Sequence, residues 1–177
     1  MRKIKNKNGF TLIEMLACTV TLILIGLICS AGMNLATMSL RESTFESDSQ
    51  MLESTINMYV GDILRHVTEV DADEDGTVRS FTNDSYYIDE GNFVISEKGS
   101  KELGAGYLLC TSQLALEGVE GTMLVNEGAY VGNLYIKDFT LKYDTKKKVF
   151  SGSYVIVSSL TTNTKFCEFS YRTIAIE

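Results

Sequence analysis

Glu14 is a carboxylate at the start of a long apolar stretch, and its type and position single it out for chemistry. From Met15 to Leu40 the chain contains no Asp, Glu, Lys or Arg. A charged side chain at the centre of a membrane helix is unfavourable by about 2.5–3.5 kcal/mol, so such a group has either a partner or a position at the boundary of the bilayer. Glu14 therefore either pairs with a cation or lies at the headgroup level.

The stretch after Glu14 is long enough to cross a membrane. Residues 15–33 are dominated by Leu, Ile, Val, Ala and Met, and at about 1.5 Å per residue they span roughly 28 Å of helix. The apolar run is longer than the core of a secretory signal, so we expect it to be retained as an anchor. The preceding basic residues are Arg2, Lys3, Lys5 and Lys7. The positive-inside rule places them in the cytoplasm and residues from about 35 onward outside.

The residues between the basic leader and the apolar run form a specific motif. Gly9 is followed by Phe10-Thr11-Leu12-Ile13-Glu14-Met15-Leu16. This segment resembles the processing site of type IV prepilins and of the pseudopilins of type II secretion and DNA-uptake systems. The resemblance covers about residues 2–33.

The resemblance assigns a role to each of three residues. In that family a membrane-embedded aspartyl peptidase cleaves after the Gly, the new N-terminal Phe is N-methylated, and the Glu four residues later guides assembly. It therefore implies cleavage between Gly9 and Phe10, methylation of Phe10 and an assembly role for Glu14. The partners it implies are a prepilin peptidase, an inner-membrane assembly platform with an assembly ATPase, and other pilin subunits. It implies no catalytic residue and no cofactor.

Physical chemistry is consistent with these roles. Gly9 lacks a Cβ, so an extended backbone can approach a protease closely there. Cleavage would expose an α-amino group on Phe10, which titrates near ~7.7 and is largely cationic at neutral pH. In an apolar bundle, Glu14 of one subunit and this amine of another would offset each other's desolvation. The pair would fix the axial register between subunits.

The chain divides into three parts in this interpretation. Residues 1–9 are a leader that is removed, residues 10–34 are the transmembrane and assembly half of a helix, and residues 35–177 form an extracytoplasmic domain. We expect a single-pass membrane protein that enters a cell-surface filament or pseudopilus after processing.

Helical periodicity continues beyond the apolar run. One row of apolar residues recurs every seven positions at Met38, Phe45, Leu52 and Tyr59, and a neighbouring row contains Ile56, Ile63 and Val70. The pattern predicts a helix from about Thr11 to Glu69 whose second half packs on the protein's own sheet.

Strand signals follow the helix. Short β-rich runs are expected at 77–81, 86–88 and 92–95, with Glu90-Gly91 as a hairpin turn between the last two. Three longer strands, at about 133–143, 149–158 and 165–176, predict an antiparallel meander with Cys167, Phe169 and Tyr171 on its packed face. The fold class is therefore α+β, with a long N-terminal helix and an antiparallel sheet. The resemblance to pilins implies the same architecture.

The cysteines divide by location. Cys18 and Cys29 lie in the apolar segment and are expected to be apolar fillers. Cys110 and Cys167 lie in the outer part, where oxidation is allowed. They are candidates for a disulfide, with two free thiols as the alternative, because the sequence does not give their neighbours.

Two charged motifs have alternative interpretations. Asp71, Asp73 and Asp75 match the opening of a calcium loop, but position twelve is Thr82 where a bidentate Glu is needed, so an acidic solvated turn is favoured. The run Lys146-Lys147-Lys148 could contact nucleic-acid phosphates, although a solvated hairpin tip is the more common role.

The net charge of -7 argues against nucleic-acid binding over the whole surface, and a single His leaves little material for a zinc site or a His-based triad.

The sequence thus predicts a structural subunit of a type IV pilus or a type II secretion-like pseudopilus, and not an enzyme. The alternative from another class is a low-copy minor pilin that acts as a binding module for DNA or a surface ligand. A membrane-anchored enzyme is disfavoured, because the outer domain offers no recognisable nucleophile, base and acid set.

Overall fold

The computed structural model describes residues 11–96, 106–112, 121–159 and 162–174. Helix α1 spans Leu12–Arg65. Nine strands follow it in the described part of the chain, namely β1 Glu69–Ala72, β2 Val78–Asn83, β3 Ile88–Gly91, β4 Phe93–Ile95, β5 Leu108–Cys110, β6 Thr122–Met123, β7 Leu134–Asp144, β8 Val149–Ser158 and β9 Thr164–Arg172. They form three antiparallel sheets of the orders β1-β2-β3, β4-β5-β6 and β7-β8-β9. A long helix with antiparallel sheets confirms the α+β class.

The chain separates into two compact units, Met1–Ser43 and Thr44–Glu177. In the first unit, every described side chain from residue 11 to residue 43 is exposed. This part of α1 is long and apolar enough to cross a membrane. Its apolar side chains have no cover among the described residues, which is typical of a surface that contacts lipid or another protein chain.

The second unit contains the buried core. One face of α1 contributes Leu52, Ile56, Val60, Ile63 and Leu64, all buried. They pack in one cluster with the inner face of the last three strands, which includes Phe150, Tyr154, Ile156, Cys167 and Phe169. The second half of α1 therefore covers the C-terminal sheet, as the sequence predicts.

The buried stripe differs in part from the predicted one. Leu52, Ile56 and Ile63 are buried as expected, but Tyr59 is 42% exposed and Met38 is 72% exposed. A strict seven-residue row drifts around a straight helix, which repeats every 3.6 residues. The side that faces the sheet is instead completed by Val60 and Leu64.

The helix also ends earlier than predicted, at Arg65 and not at Glu69. Contacts from distant parts of the chain satisfy its last carbonyl groups. The buried Asn83 amide donates to the Ile63 carbonyl at 2.7 Å, and the Ile174 amide donates to the Arg65 carbonyl at 2.8 Å. Val70 accordingly lies in strand β1, where it pairs with Phe81.

The three C-terminal strands confirm the predicted meander within a few residues. Strand β8 pairs with both neighbours, and Cys167, Phe169 and Tyr171 face the helix side. The expected hairpin at Glu90-Gly91 is wrong, because β3 pairs with β2 whereas β4 pairs with β5. Asn92 lies between β3 and β4, where the chain passes from one sheet to the next. Its side chain donates to the Arg79 carbonyl, in β2, at 2.9 Å, and its main-chain amide donates to Thr111 Oγ1, next to β5, at 2.9 Å.

Candidate functional site

Thr11 and Glu14 form a reciprocal hydrogen-bonded pair at the start of α1. The Thr11 amide and the Thr11 hydroxyl each donate to Glu14 Oε2 at 2.8 Å. In return the Glu14 amide donates to Thr11 Oγ1 at 3.4 Å. This is a capping box, in which the residue before the helix and the third helical residue satisfy each other's main-chain donors. The Glu14 carboxylate is therefore held at the helix start, where the positive end of the helix dipole also favours it.

The helix surface from Met15 to Leu40 has no charged side chain. The threonine hydroxyls bond back to their own helix: Thr19 to the Leu16 carbonyl at 2.9 Å and Thr21 to the Ala17 carbonyl at 2.8 Å. Large apolar side chains are open to the surroundings, with Leu12 87% exposed. Glu14 is thus a charged group at one end of an uncovered apolar helix.

The predicted processing residues Gly9 and Phe10 lie outside the described residues. Glu14 is placed as described above, four positions after Phe10. The structure therefore positions the Glu14 carboxylate and Thr11, the residue after Phe10. The roles in cleavage, methylation and assembly stay predictions.

Of the two alternatives for Cys110 and Cys167, a disulfide or two free thiols, the structure has the free thiols. They belong to different sheets: Cys110 in β5 pairs with Phe93, and Cys167 in β9 pairs with Tyr154. Burial raises the pKa of the Cys110 thiol to about 12 and that of the Cys167 thiol to about 11. Both therefore act as apolar filling for the domain.

The calcium interpretation of Asp71, Asp73 and Asp75 finds no support in the geometry. Among the described residues, no group of three or more His, Cys, Asp or Glu side chains is placed to hold a metal ion. Asp71 lies within strand β1, whereas Asp73 forms an ion pair with Arg79. The segment is an acidic turn between β1 and β2.

The basic run lies in the β7–β8 hairpin, as predicted. Asp144 organises the tip, because its Oδ1 accepts from the Lys146 amide at 3.0 Å and from the Lys147 amide at 3.1 Å. The same interactions hold the pKa of the Asp144 carboxyl below its usual value, the bond from the Lys147 amide most of all. The hairpin is therefore a fixed turn that presents lysine side chains to solvent.

A further surface is not evident from the sequence. Tyr59, Tyr86 and Tyr87 line an open groove of about 270 Å³ beside the end of α1. The sequence pattern assigns Tyr59 to the buried stripe and the other two to a strand. Their meeting depends on tertiary contacts, so no local pattern could reveal it. The Thr11–Glu14 box, in contrast, has the recognisable local signature T-x-x-E.

Comparison of the chain with family models, with curated proteins and with solved structures gives no match. Its function is therefore inferred from the residues of this chain and from their geometry.

Proposed function

We propose that this chain is a structural subunit of a type IV pilus or a type II secretion-like pseudopilus. It is made as a prepilin, cleaved after Gly9, N-methylated at Phe10 and assembled through its N-terminal helix. The observation that carries the proposal is Glu14, a charged group fixed at the start of an exposed apolar helix that follows a prepilin-like cleavage motif. A helix of this kind needs an apolar environment, and a carboxylate that enters this environment needs a cationic partner.

The geometry of the capping box supports a role for Glu14 between subunits. Both bonds from Thr11 end on Oε2, which leaves Oε1 to accept from an ammonium group. The amine that cleavage creates on Phe10 is such a group, and in a bundle of helices it comes from a neighbouring subunit. Because a buried charge without its partner is strongly unfavourable, only the register that brings Glu14 and the amine together is stable.

The proposal also accounts for the exposed half of α1. In the single subunit this segment lies in the cell membrane, with the leader in the cytoplasm and the second unit outside. In the filament the same apolar surface packs against the helices of other subunits. A prepilin peptidase, an inner-membrane assembly platform and an assembly ATPase are the partners that such a path requires.

N-terminal sequencing and intact mass measurement test the assignment directly. Protein from cells that contain the peptidase is expected to lack nine residues and to begin with methylated Phe10, whereas cells without the peptidase should yield the full chain. Gly9→Val should block cleavage, because a β-branched side chain crowds the position that Gly leaves open. Protein at the cell surface that still begins with Met1 contradicts the proposal.

A second candidate is a low-copy minor pilin that binds DNA or a surface ligand. The exposed lysines of the β7–β8 hairpin favour it. The amount of protein in filaments sheared from cells separates the two candidates: a major subunit dominates this material, and a minor pilin is a small fraction of it.

A further inference from the structure

Three tyrosines form an exposed aromatic surface next to the end of α1, here called the tyrosine groove (Tyr59, Tyr86 and Tyr87). Tyr87 is 83% exposed, Tyr86 is 44% exposed and Tyr59 is 42% exposed. Aromatic side chains in such numbers on a surface are typical of interfaces, where they supply contact area at little conformational cost.

The loop that carries two of these rings is firmly held. The Asn83 side chain is fully buried, accepts from the Tyr86 amide at 3.2 Å and donates to the Ile63 carbonyl. Tyr87 adopts φ 54°, in the left-handed region. Gly or Asn adopts this backbone with less strain, so packing within the fold does not explain a large exposed ring at this position.

The surroundings of the tyrosine groove are acidic. Asp62 accepts a hydrogen bond from the Tyr86 hydroxyl. Asp84 and Asp89, which flank the two tyrosines in the sequence, are exposed. The nearby cation Arg65 already lies over the Tyr171 ring, 5.5 Å from its centroid. Aromatic faces combined with carboxylates are suited to a cationic side chain.

The same chain presents a matching cationic element. The basic hairpin, defined as residues 142–148, contains the exposed Lys142, Lys146 and Lys147. Asp144 fixes its turn through the bonds to two main-chain amides, so little ordering is needed on binding. Lys147 forms an exposed ion pair with Asp144 at 3.6 Å within the hairpin. In the described part of the chain, neither Lys146 nor Lys147 forms an ion pair with Asp84 or Asp89.

We propose that the tyrosine groove of one copy receives the basic hairpin of a second copy. This inference rests on the proposed function and specifies a contact between the outer domains of the polymer. Because the two surfaces differ, the contact is head-to-tail, and a bound pair keeps one groove and one hairpin open for further copies. A head-to-tail contact forms either a closed ring or an open helical filament, and the proposed function requires the open form.

Photo-crosslinking in cells tests the contact. The full chain carries p-benzoylphenylalanine at position 87, a substitution that keeps an exposed aromatic ring, and the crosslinked peptides are identified by mass spectrometry. The expected capture is residues 142–148 of another copy, in filaments or in the membrane fraction. Capture of another segment or another protein, or no capture, overturns the contact. Processing and filament formation are measured separately from the crosslink. Normal processing and filaments without the crosslink would contradict the contact alone, and a chain that is not processed would contradict the proposed function.

Charge reversal provides an independent test. Lys146→Glu with Lys147→Glu should lower the crosslink yield at least about tenfold, because like charges then face each other across the contact. Adding Asp84→Lys and Asp89→Lys should restore it. Lys137→Glu, an exposed lysine of β7 outside the hairpin, is the control and should leave the yield unchanged. If the lysine variants keep the crosslink and lose only binding of the filaments to double-stranded DNA, the hairpin is a nucleic-acid contact and the proposal is wrong.

Discussion

Lys165 on β9 places its ammonium group 2.7 Å from the carboxylate of Glu53 on α1. The two side chains retain only 26% and 28% of their exposure. Beside them the Tyr154 hydroxyl donates to Asn57 Oδ1 at 3.1 Å, and the Tyr171 hydroxyl donates to the Asn57 carbonyl at 2.8 Å. The helix and the last strands are therefore joined by polar contacts as well as by the apolar stripe.

Glu53→Gln is expected to lower the free energy of unfolding by about 1–2 kcal/mol, between the values for exposed and buried pairs. The loss arises because Lys165 stays half-buried without its partner. Urea unfolding of residues 44–177 measures it, since this unit contains the whole buried cluster. Glu168→Gln, on the exposed face of β9, is the matched control. Equal stability of the two variants would show that the ion pair contributes nothing.

Cys110 and Cys167 should resist alkylation in the folded protein. Burial raises the pKa of both thiols, and the thiolate is the reactive form. Iodoacetamide at pH 8 is expected to modify them only after denaturation, and the native mass should correspond to two thiols. A native mass lower by two hydrogens would establish a disulfide instead.

The same two thiols make stability depend on alkaline pH. Their folded pKa values of about 12 and about 11 lie above the ordinary value of 9.0, so the folded state holds these protons more tightly than the unfolded state. The contribution of the two protonated thiols to the free energy of unfolding is complete below pH 9 and declines as the pH rises through about 11 and 12. Urea titrations at pH 8 and pH 10.5 should show the lower midpoint at the higher pH. A Cys110→Ala and Cys167→Ala variant should show a smaller decline.

Gly152→Ala should strongly destabilise the C-terminal sheet. A Cβ at this position would lie 2.2 Å from the Thr140 carbonyl oxygen and 2.5 Å from Phe169 Cζ. Overpacking of this kind is expected to lower the free energy of unfolding by about 3 kcal/mol. Gly128→Ala is the control, because the nearest atom to its Cβ is an Asn126 side-chain oxygen at 3.5 Å. Thermal melting of both variants checks the difference.

Glu14→Val should leave membrane insertion and processing intact and abolish incorporation into filaments. Without the carboxylate, the Phe10 amine of a neighbouring subunit enters an apolar bundle unpaired, which is unfavourable by about 3–5 kcal/mol. Processed protein should accumulate in the membrane fraction of a strain without the wild-type copy. Thr11→Val removes only the hydroxyl of the capping box and should weaken assembly less. Normal amounts of the Glu14→Val chain in sheared filaments would exclude Glu14 as the register device.

The sequence predicted the elements that have long, regular patterns. Strands β8 and β9 alternate over nine or more residues, and β7 alternates on either side of a register shift between Lys137 and Thr140. The faces and turns of these strands could therefore be assigned. Short strands such as β3 and β4 have no comparable pattern, and their pairing is decided by Asn92 and Thr111, which lie far apart in the chain. The end of α1 was missed for the same reason, since Asn83 and Ile174 satisfy its last carbonyls.

The candidate site was predictable to a different extent at each residue. Glu14 stands out because the surrounding sequence has no other charge, and its bond to Thr11 follows a local motif. The tyrosine groove could not be foreseen, because Tyr59 and Tyr87 come together only when the loop after β2 docks on the helix.

The contact between Tyr171 and Asn57 joins residues separated by 114 positions, and the Thr173 hydroxyl reaches the Val67 carbonyl across 106 positions. During synthesis the helix therefore emerges first, and the strand that covers it emerges last. Pairing across such distances is slow, because a long loop must close before any contact stabilises it. The second unit reaches its final form only after the last strand has left the ribosome and joined the helix. Until then the stripe at Leu52 and Ile56 is open to chaperones, to proteases and to other unfinished chains.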